Sequence, residues 1–285
     1  MKRTDFRFFD RLRVRWVEVD LQKIVFNGHY LMYFDTAIAA YWRAMAMPYH
    51  ETMAQLDGDL FVRKATLEYM GSARYDDLLD VALRCERVGN SSMAFTGCTF
   101  RGETALVSCE LVYVFADPKT QTSRPVPDAL RQTLQAFEAG EPMVQVATGS
   151  WDDLGASAQP LRKAVFIDEQ QIPAALEQDG ADPTAVHALA RNRFGLAVAT
   201  GRMVEIHPGV GKIGRMAVAQ AVRGSGIGRQ VLDALLAQAR QREWHDVVLH
   251  AQVSAVAFYR AAGFLPHGPV FEEAGIVHQE MRRAP

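Results

Sequence analysis

A chain of 285 residues, 49% hydrophobic and 22% charged, exceeds the usual single-domain length and has the composition of a soluble globular protein with two domains. Its net charge of −2, with basic residues scattered rather than striped, excludes a nucleic-acid surface built on bulk positive charge. The start, Met1-Lys2-Arg3-Thr4-Asp5-Phe6, has no apolar signal core and no run reaches membrane-spanning length, so the expected compartment is the cytoplasm, with no membrane partner. Cys85, Cys98 and Cys109 form no CxxC pair and lie far from any His cluster at metal spacing, so reduced thiols and no metal site are expected.

In chain order, Val14 to Asp20 reads as a strand ending at a carboxylate, and Ile24 to His29 leads into a helix from Tyr30 to Ala44. Between Tyr30 and Trp42 only Asp35 and Thr36 are polar, so this helix is expected to be buried nearly all round. Ala65, Leu67 and Tyr69 alternate with Lys64, Thr66 and Glu68, and Leu79, Val81, Leu83 and Cys85 alternate with Asp80, Arg84 and Glu86. Both are the period-two pattern of a half-buried strand. Gly89-Asn90-Ser91-Ser92 turns into a strand from Met93 to Phe100, and Gly102-Glu103 turns into another from Ala105 to Ala116. The last carries Leu111, Tyr113 and Phe115 on one face and Val112 and Val114 on the other, so cover on both faces is expected. An antiparallel sheet wrapped around one buried helix accommodates all of this.

Pro125-Val126-Pro127 breaks structure before a short helix, Asp128 to Ala139, and the boundary falls near Gly140-Glu141-Pro142. Two domains are expected, residues 1–138 and 139–285. The second alternates strands and helices: Met143 to Ala147, a helix around Pro160 to Glu169, strands near His187 to Arg191, Leu196 to Ile206 and Lys212 to Val218, a helix from Gly226 to Arg242, a strand Val247 to Ala251, a helix Ala255 to Ala262, and a closing strand pair. That alternation indicates a mixed α/β sheet flanked by helices.

Two segments suggest chemistry. Asp20 precedes a helix start whose free N–H groups and positive dipole end suit a polarised carbonyl oxygen. Its carboxylate could attack a thioester or activate water against it, or it could simply cap a turn. His29 is more simply a local cap than a substrate contact. Later, Gly224-Ser225-Gly226-Ile227-Gly228 follows a strand and opens an amphipathic helix, a place where backbone N–H groups can grip a diphosphate. Arg229 stands where a dinucleotide fingerprint has its last glycine, so that fingerprint is absent.

Asp20 to Ala37, Phe61 to Ala65, Ala73 to Asp77, Gly89 to Ser92 and Asp117-Pro118 together resemble the hotdog-fold acyl-CoA thioesterases of the 4-hydroxybenzoyl-CoA thioesterase-like, YbgC/FadM type, over nearly all of residues 1–135. The resemblance implies that Asp20 is the catalytic carboxylate and that backbone N–H groups near Asn27 to Tyr30, Gly28 among them, polarise the thioester. It also implies a homo-oligomer formed through this domain. The chain departs from the family at Gln22-Lys23, where a small residue and Gly are common, and at Asn27, where some members have His. Arg223 to Gly228 and Ala255 to Phe264 resemble the GNAT N-acetyltransferases. This implies main-chain pairing of Met216, Ala217 and Val218 with pantetheine, a diphosphate held by Arg223, Gly224, Ser225, Gly226, Ile227 and Gly228, and Tyr259 as the acid for the departing thiolate. Gln252 stands where many members have Asn, and Gly214 where some carry a Glu base. The base is therefore open among His250, Glu272, Glu273 and His278, with His250 favoured as it lies on the strand beside the cofactor cleft. The combined reading is a bifunctional enzyme that uses coenzyme A thioesters, acyl-CoA and acetyl-CoA, with an undefined amine acceptor. The alternative is a working thioesterase whose second domain only binds acyl-CoA as a regulatory or scaffolding module.

Overall fold

The computed structural model describes residues 1–285 and divides into two compact units, Met1–Met143 and Val144–Pro285. No helix is long and apolar enough to cross a membrane.

In the first unit, β1 (Phe8–Arg13), β2 (Asp59–Tyr69), β3 (Leu78–Val88), β4 (Ser92–Arg101) and β5 (Thr104–Ala116) form one antiparallel sheet in the order β1-β3-β4-β5-β2. It wraps α1 (Asn27–Ala44), and α2 (Tyr49–Gln55) and α3 (Asp128–Ala139) complete the unit. Along α1, Tyr30, Tyr33, Phe34, Ala37, Ile38, Tyr41 and Trp42 are buried, a helical stripe at three- and four-residue spacing. Gly97 makes the closest approach possible, since a Cβ there would lie 2.7 Å from the Phe34 ring. Tyr41 meets Phe8, Phe95 and Phe137 edge to face at centroid separations of 4.8–5.6 Å. Glu138 of α3 accepts the Tyr41 hydroxyl and the Cys85 N–H, tying that helix to the core.

Several expectations are corrected here. Residues 14–20 are not a strand: β1 ends at Arg13 and Trp16–Glu18 is a 3-10 turn. The Glu18 carboxylate closes it by accepting the Arg15 N–H and Nε, at 2.7 and 2.8 Å, and the Tyr33 hydroxyl at 2.8 Å. Helix α1 starts three residues before Tyr30 and is buried on one face only, leaving Leu31 and Met32 exposed in the single chain. Residues 64–69 lie on the edge strand β2 and are mostly exposed on both faces. Strand β3 is instead buried on both faces from Leu79 to Leu83. Phe6, Phe9 and Phe100 cover Ala82 on its outer side, and Arg3 and Arg11 pair with Asp80. On β5, Val112 and Val114 are only half-buried. Cys85, Cys98 and Cys109 are free thiols, and burial pushes them up to about 12, 11 and 12.

In the second unit, β6 (Val144–Gly149), β7 (Val186–Asn192), β8 (Ala197–His207), β9 (Val210–Val218), β10 (Asp246–Gln252), β11 (Leu265–Glu273) and β12 (Ile276–Arg283) form a mixed sheet in the order β11-β12-β10-β9-β8-β7-β6. Only β9 and β10 run parallel. Helices α4 (Trp151–Arg162) and α6 (Ile227–Gln241) pack on its central strands, with short α5 (Ala174–Glu177) and α7 (Val256–Ala261) beside them. The helix expected from Pro160 begins earlier, at Trp151, where Ser150 and Asp153 form a reciprocal cap. Pro160 lies inside it and has no N–H to donate, and the chain widens into a π-helix at Lys163–Glu169. That wider turn aligns residues five apart: Lys163 Nζ lies 2.6 Å from Asp168 Oδ1.

Two stability experiments follow. Glu138→Ala strips the acceptor from the Tyr41 hydroxyl and the Cys85 N–H, and is expected to cost about 2–3 kcal/mol. A lowered urea midpoint for the first unit would show this; an unmoved midpoint would contradict it. For Glu18, burial raises the carboxyl pKa, but hydrogen bonds from the Arg15 N–H, the Tyr33 hydroxyl and the Arg15 side chain outweigh it, so the group titrates below its ordinary value. Its contribution is present above the usual carboxylate pKa and fades as pH falls through the lowered one. Wild type should therefore melt above Glu18→Gln at neutral pH, with the gap closing below about pH 4.5; a gap constant with pH would rule out the charge-based clamp.

Candidate active sites

In the first unit Asp20 sits in a tight turn. Its N–H donates to Ile24 O, its carbonyl accepts from Lys23, and its carboxylate accepts the Gln22 N–H at 2.7 Å. Lys23 takes a left-handed φ of 62° there, a backbone geometry that glycine adopts most readily. The Glu18 carbonyl then accepts from Phe26 N, which delivers the chain to the start of α1. Asn27 and Gly28 are the first helical residues, both exposed, and no side chain caps them. Tyr69 donates to the Asn27 carbonyl at 3.0 Å. His29 does not cap the helix: its ring meets Phe26 edge to face. Within one copy, Asp20 makes no hydrogen bond to Asn27 or Gly28, so the acid and the helix start are separate features of one surface. Around them Trp16, Val17, Leu21 and Phe26 are 77%, 70%, 102% and 51% exposed.

In the second unit the site begins with a break in sheet pairing. Strand β10 pairs with β9 only from Asp246↔Val210 to Leu249↔Ile213. Between Arg202↔Gly214 and Thr200↔Ala217, Arg215 and Met216 oppose the single residue Gly201 of β8, which is a bulge. Arg215 adopts a left-handed φ of 52°. Its guanidinium donates to Leu176 O, Glu177 O and Asp179 Oδ2 at 2.6–3.1 Å, which offsets the strain. A Cβ at Gly201 would lie 2.5 Å from Met216 Sδ and 2.9 Å from Leu235, so only glycine lets α6 close on the bulge. Beyond the bulge, Ala217 and Val218 pair with β8, and Met216, Ala217 and Val218 have no β10 partner, leaving a strand edge in the opening on which Arg223 takes the Val218 carbonyl.

The glycine turn stands at that opening. Gly224 and Gly226 have φ of 84° and 83°, and a side chain at either would point into open space. The turn delivers the unbonded first N–H groups of α6, starting at buried Ile227, toward solvent. Gly228 lies against Val218 and Phe258. Ser225 Oγ donates to Val222 O at 2.6 Å, so it stabilises the turn. Arg223 is held by Glu169 through two bonds of 2.6 and 2.7 Å and donates Nε to Val218 O.

A cavity of about 660 Å³ continues from the opening. Met216, His250, Gln252 and Tyr259 line it, along with Gly214, Lys212 and Glu273. Tyr259 is 8% exposed, and burial pushes its phenol up to about 12. Gln252 Nε2 donates to Gln170 Oε1 at 2.9 Å. One cavity wall, residues 175–181, is fixed by ion pairs of Arg162 with Glu177 and Asp182 and of Arg202 with Asp179 and Asp182, on side chains that are mostly buried. Glu169 and Gln170 had no assigned role in the sequence reading. They are consecutive in a chain that leaves the π-helix, so one reaches Arg223 on the β9 side and the other Gln252 on the β10 side; regular helical phase gives no hint of this. No group of three His, Cys, Asp or Glu is placed to hold a metal.

The thioesterase superfamily model matches residues 22–108, beginning just after Asp20, and the acetyltransferase (GNAT) domain model matches residues 156–284. Protein ElaA of Escherichia coli (strain K12) is 37% identical over 131 residues, covering 43% of this chain and 82% of that protein. The N-acetyltransferase YjcF of Bacillus subtilis (strain 168), described as uncharacterized, is 31% identical over 124 residues, covering 43% and 87%. A protein of Aquifex aeolicus (strain VF5) named "Putative esterase" is 29% identical over 99 residues, covering 35% and 77%. The second half thus belongs to the GNAT acetyltransferases, with a mixed sheet opened between β9 and β10, and it follows a first half that matches the thioesterase superfamily and has a hotdog sheet around α1.

Proposed function

We propose that the chain is a bifunctional enzyme acting on coenzyme A thioesters, hydrolysing acyl-CoA in its first domain and transferring an acetyl group from acetyl-CoA to an amine in its second. What supports the second half is that the Arg223–Gly228 turn lies against the Met216–Val218 edge, through Arg223 Nε on Val218 O and Gly228 beside Val218 and Phe258, while Met216 and buried Tyr259 line one cavity. Pantetheine amides pair with the free strand edge, and the diphosphate lies on the turn N–H groups at the start of α6. Ile213 is paired with Leu249, so Gly214 and His250 follow side by side where the strands part. His250 takes a proton from the protonated amine. The amine nitrogen bonds to the thioester carbon, the C–S bond breaks, and the thiolate takes the Tyr259 proton. The nitrogen then loses its second proton, which restores the phenol. A phenol titrating near 12 is fully protonated at neutral pH and so is always loaded. His250 beside Gly214 favours catalysis over the binding-only alternative, since a base stands next to the position where the Glu of some family members is missing.

In the first domain the Asp20 carboxylate activates water or attacks the thioester itself, while the free N–H groups of Asn27 and Gly28 take the developing oxyanion. The thiol leaves as the C–S bond breaks, and water supplies the carboxylate product's oxygen. Two features support a homo-oligomer through this domain. Trp16, Val17, Leu21 and Phe26 are exposed apolar side chains flanking Asp20 in the chain, and β2 is an edge strand of 11 residues. A second copy covers both and supplies the opposing surface that a lone Asp20 lacks.

Purified wild type is expected to release thiol from a panel of acyl-CoAs and to acetylate at least one member of a primary-amine panel. Asp20→Asn should lower hydrolysis roughly 100-fold and leave acetylation intact, while Tyr259→Phe should do the reverse. Undiminished thiol release by Asp20→Asn would sink the hydrolytic assignment. In sedimentation velocity wild type should run as an oligomer and Trp16→Glu/Leu21→Glu as a monomer; a monomeric wild type would overturn the assembly.

A further inference from the structure

His250 has two neighbours on one ring nitrogen, and they ask for opposite protonation states. Glu273 Oε2 lies 3.0 Å from Nδ1, and Lys212 Nζ lies 3.3 Å from the same atom. A carboxylate can only accept there, which requires Nδ1–H; an ammonium can only donate, which requires a bare Nδ1. The two residues cannot both be satisfied.

Register explains how they meet. Lys212 pairs with Val248 of β10, His250 with Glu280 of β12, and Phe271 of β11 with His278. Alternation then puts Lys212, His250, Gln252, His278, Glu280, Phe271 and Glu273 on one sheet face. Phe271 meets the His250 ring edge to face at 4.8 Å and stacks on His278, which fixes the imidazole plane. On the far side of the ring, Glu280 Oε2 is 3.8 Å from Nε2, beyond hydrogen-bond reach. Glu280 is already engaged by Arg282 at 2.8 Å and His267 at 3.1 Å.

Resting on the reading of His250 as the base, we propose that Glu273 is a positioning residue that holds His250 as the Nδ1–H tautomer and leaves the Nε2 lone pair to receive the amine proton. The carboxylate prevails for two reasons. Its contact is the shorter one, and a bare Nδ1 facing a carboxylate oxygen at 3.0 Å sets lone pair against lone pair. Lys212 has a long flexible stem and makes no ion pair of its own within 4.0 Å, so it can swing aside at little cost. The β11–β12 hairpin thus supplies half of the base, in a domain whose central strand has only Gly214 at the position of the missing carboxylate.

The tautomer can be read without knowing the acceptor. Long-range 1H–15N spectra of the full chain labelled with 15N-histidine, with the His250 signals assigned by His250→Gln, should show Nδ1–H in wild type. Glu273→Leu should flip the ring to Nε2–H, because Lys212 is then free to donate to Nδ1. Glu273→Gln, whose Oε1 can still accept, should keep Nδ1–H, as should Lys212→Met. In acetylation assays Glu273→Leu should lower kcat about 10- to 100-fold with KM for acetyl-CoA unchanged. An Nε2–H signal in wild type, or an unflipped ring in Glu273→Leu, overturns the assignment of Glu273. Full activity in His250→Gln would instead remove His250 as base while leaving the tautomer result standing, so the two failures are separable.

Discussion

Strands β9 and β10 stay paired for four residues and then part, and the second domain's chemistry is built on that parting. The cause is local. Arg215 is the extra residue of a bulge, it has a left-handed backbone, and the bulge bends β9 away from its parallel neighbour. A non-glycine residue holds this conformation because its guanidinium bonds two carbonyls and a carboxylate of the 175–181 wall. The same contact that supports the strained strand also fixes one side of the cavity. Arg162 and Arg202 hold that wall from behind through Glu177, Asp179 and Asp182. Each arginine meets two carboxylates and Asp182 is shared between them, so the charges compensate one another as a network rather than as isolated pairs.

The first domain works on a different constraint. Its helix α1 is buried by one stripe of aromatic and aliphatic side chains, while its first turn remains open to solvent. Glu18 holds the preceding chain against Tyr33, and so sets where Asp20 and the helix start emerge. The two domains therefore present the same kind of group, unbonded N–H donors at a helix beginning, in different company. In one the company is an acid and an exposed apolar surface. In the other it is a glycine turn, an open strand edge and a buried phenol.

Much of this was legible in the residues. Period-two alternation located β3, the turns at 89–92 and 102–103 located β4 and β5, the glycine turn located α6, and a nearly unbroken apolar run located α1. What the pattern misjudged was burial. The alternation at 79–86 implied one wet face, but the N-terminal Phe6, Phe9 and the arginines Arg3 and Arg11 cover it from far away in sequence. The alternation at 64–69 implied one dry face, but the strand lies at the sheet edge with nothing over it in a single chain. Apolar residues in α1 such as Leu31 and Met32 looked like core and are exposed. The contacts of Glu169 and Gln170 depend on a π-helix that follows α4, a five-residue register that the sequence pattern does not announce. The pairing of Glu273 with His250 depends on how a hairpin folds back across β10, which no local motif encodes.

The central claim is that each domain takes its own coenzyme A thioester. Titration calorimetry of the intact chain with a non-hydrolysable thioether analogue of acetyl-CoA, ethyl-S-coenzyme A, tests it most directly. The account predicts two saturable sites per chain, one of which disappears in Gly226→Val, where a β-branched residue cannot adopt the left-handed turn. A single site per chain, or none, would contradict it.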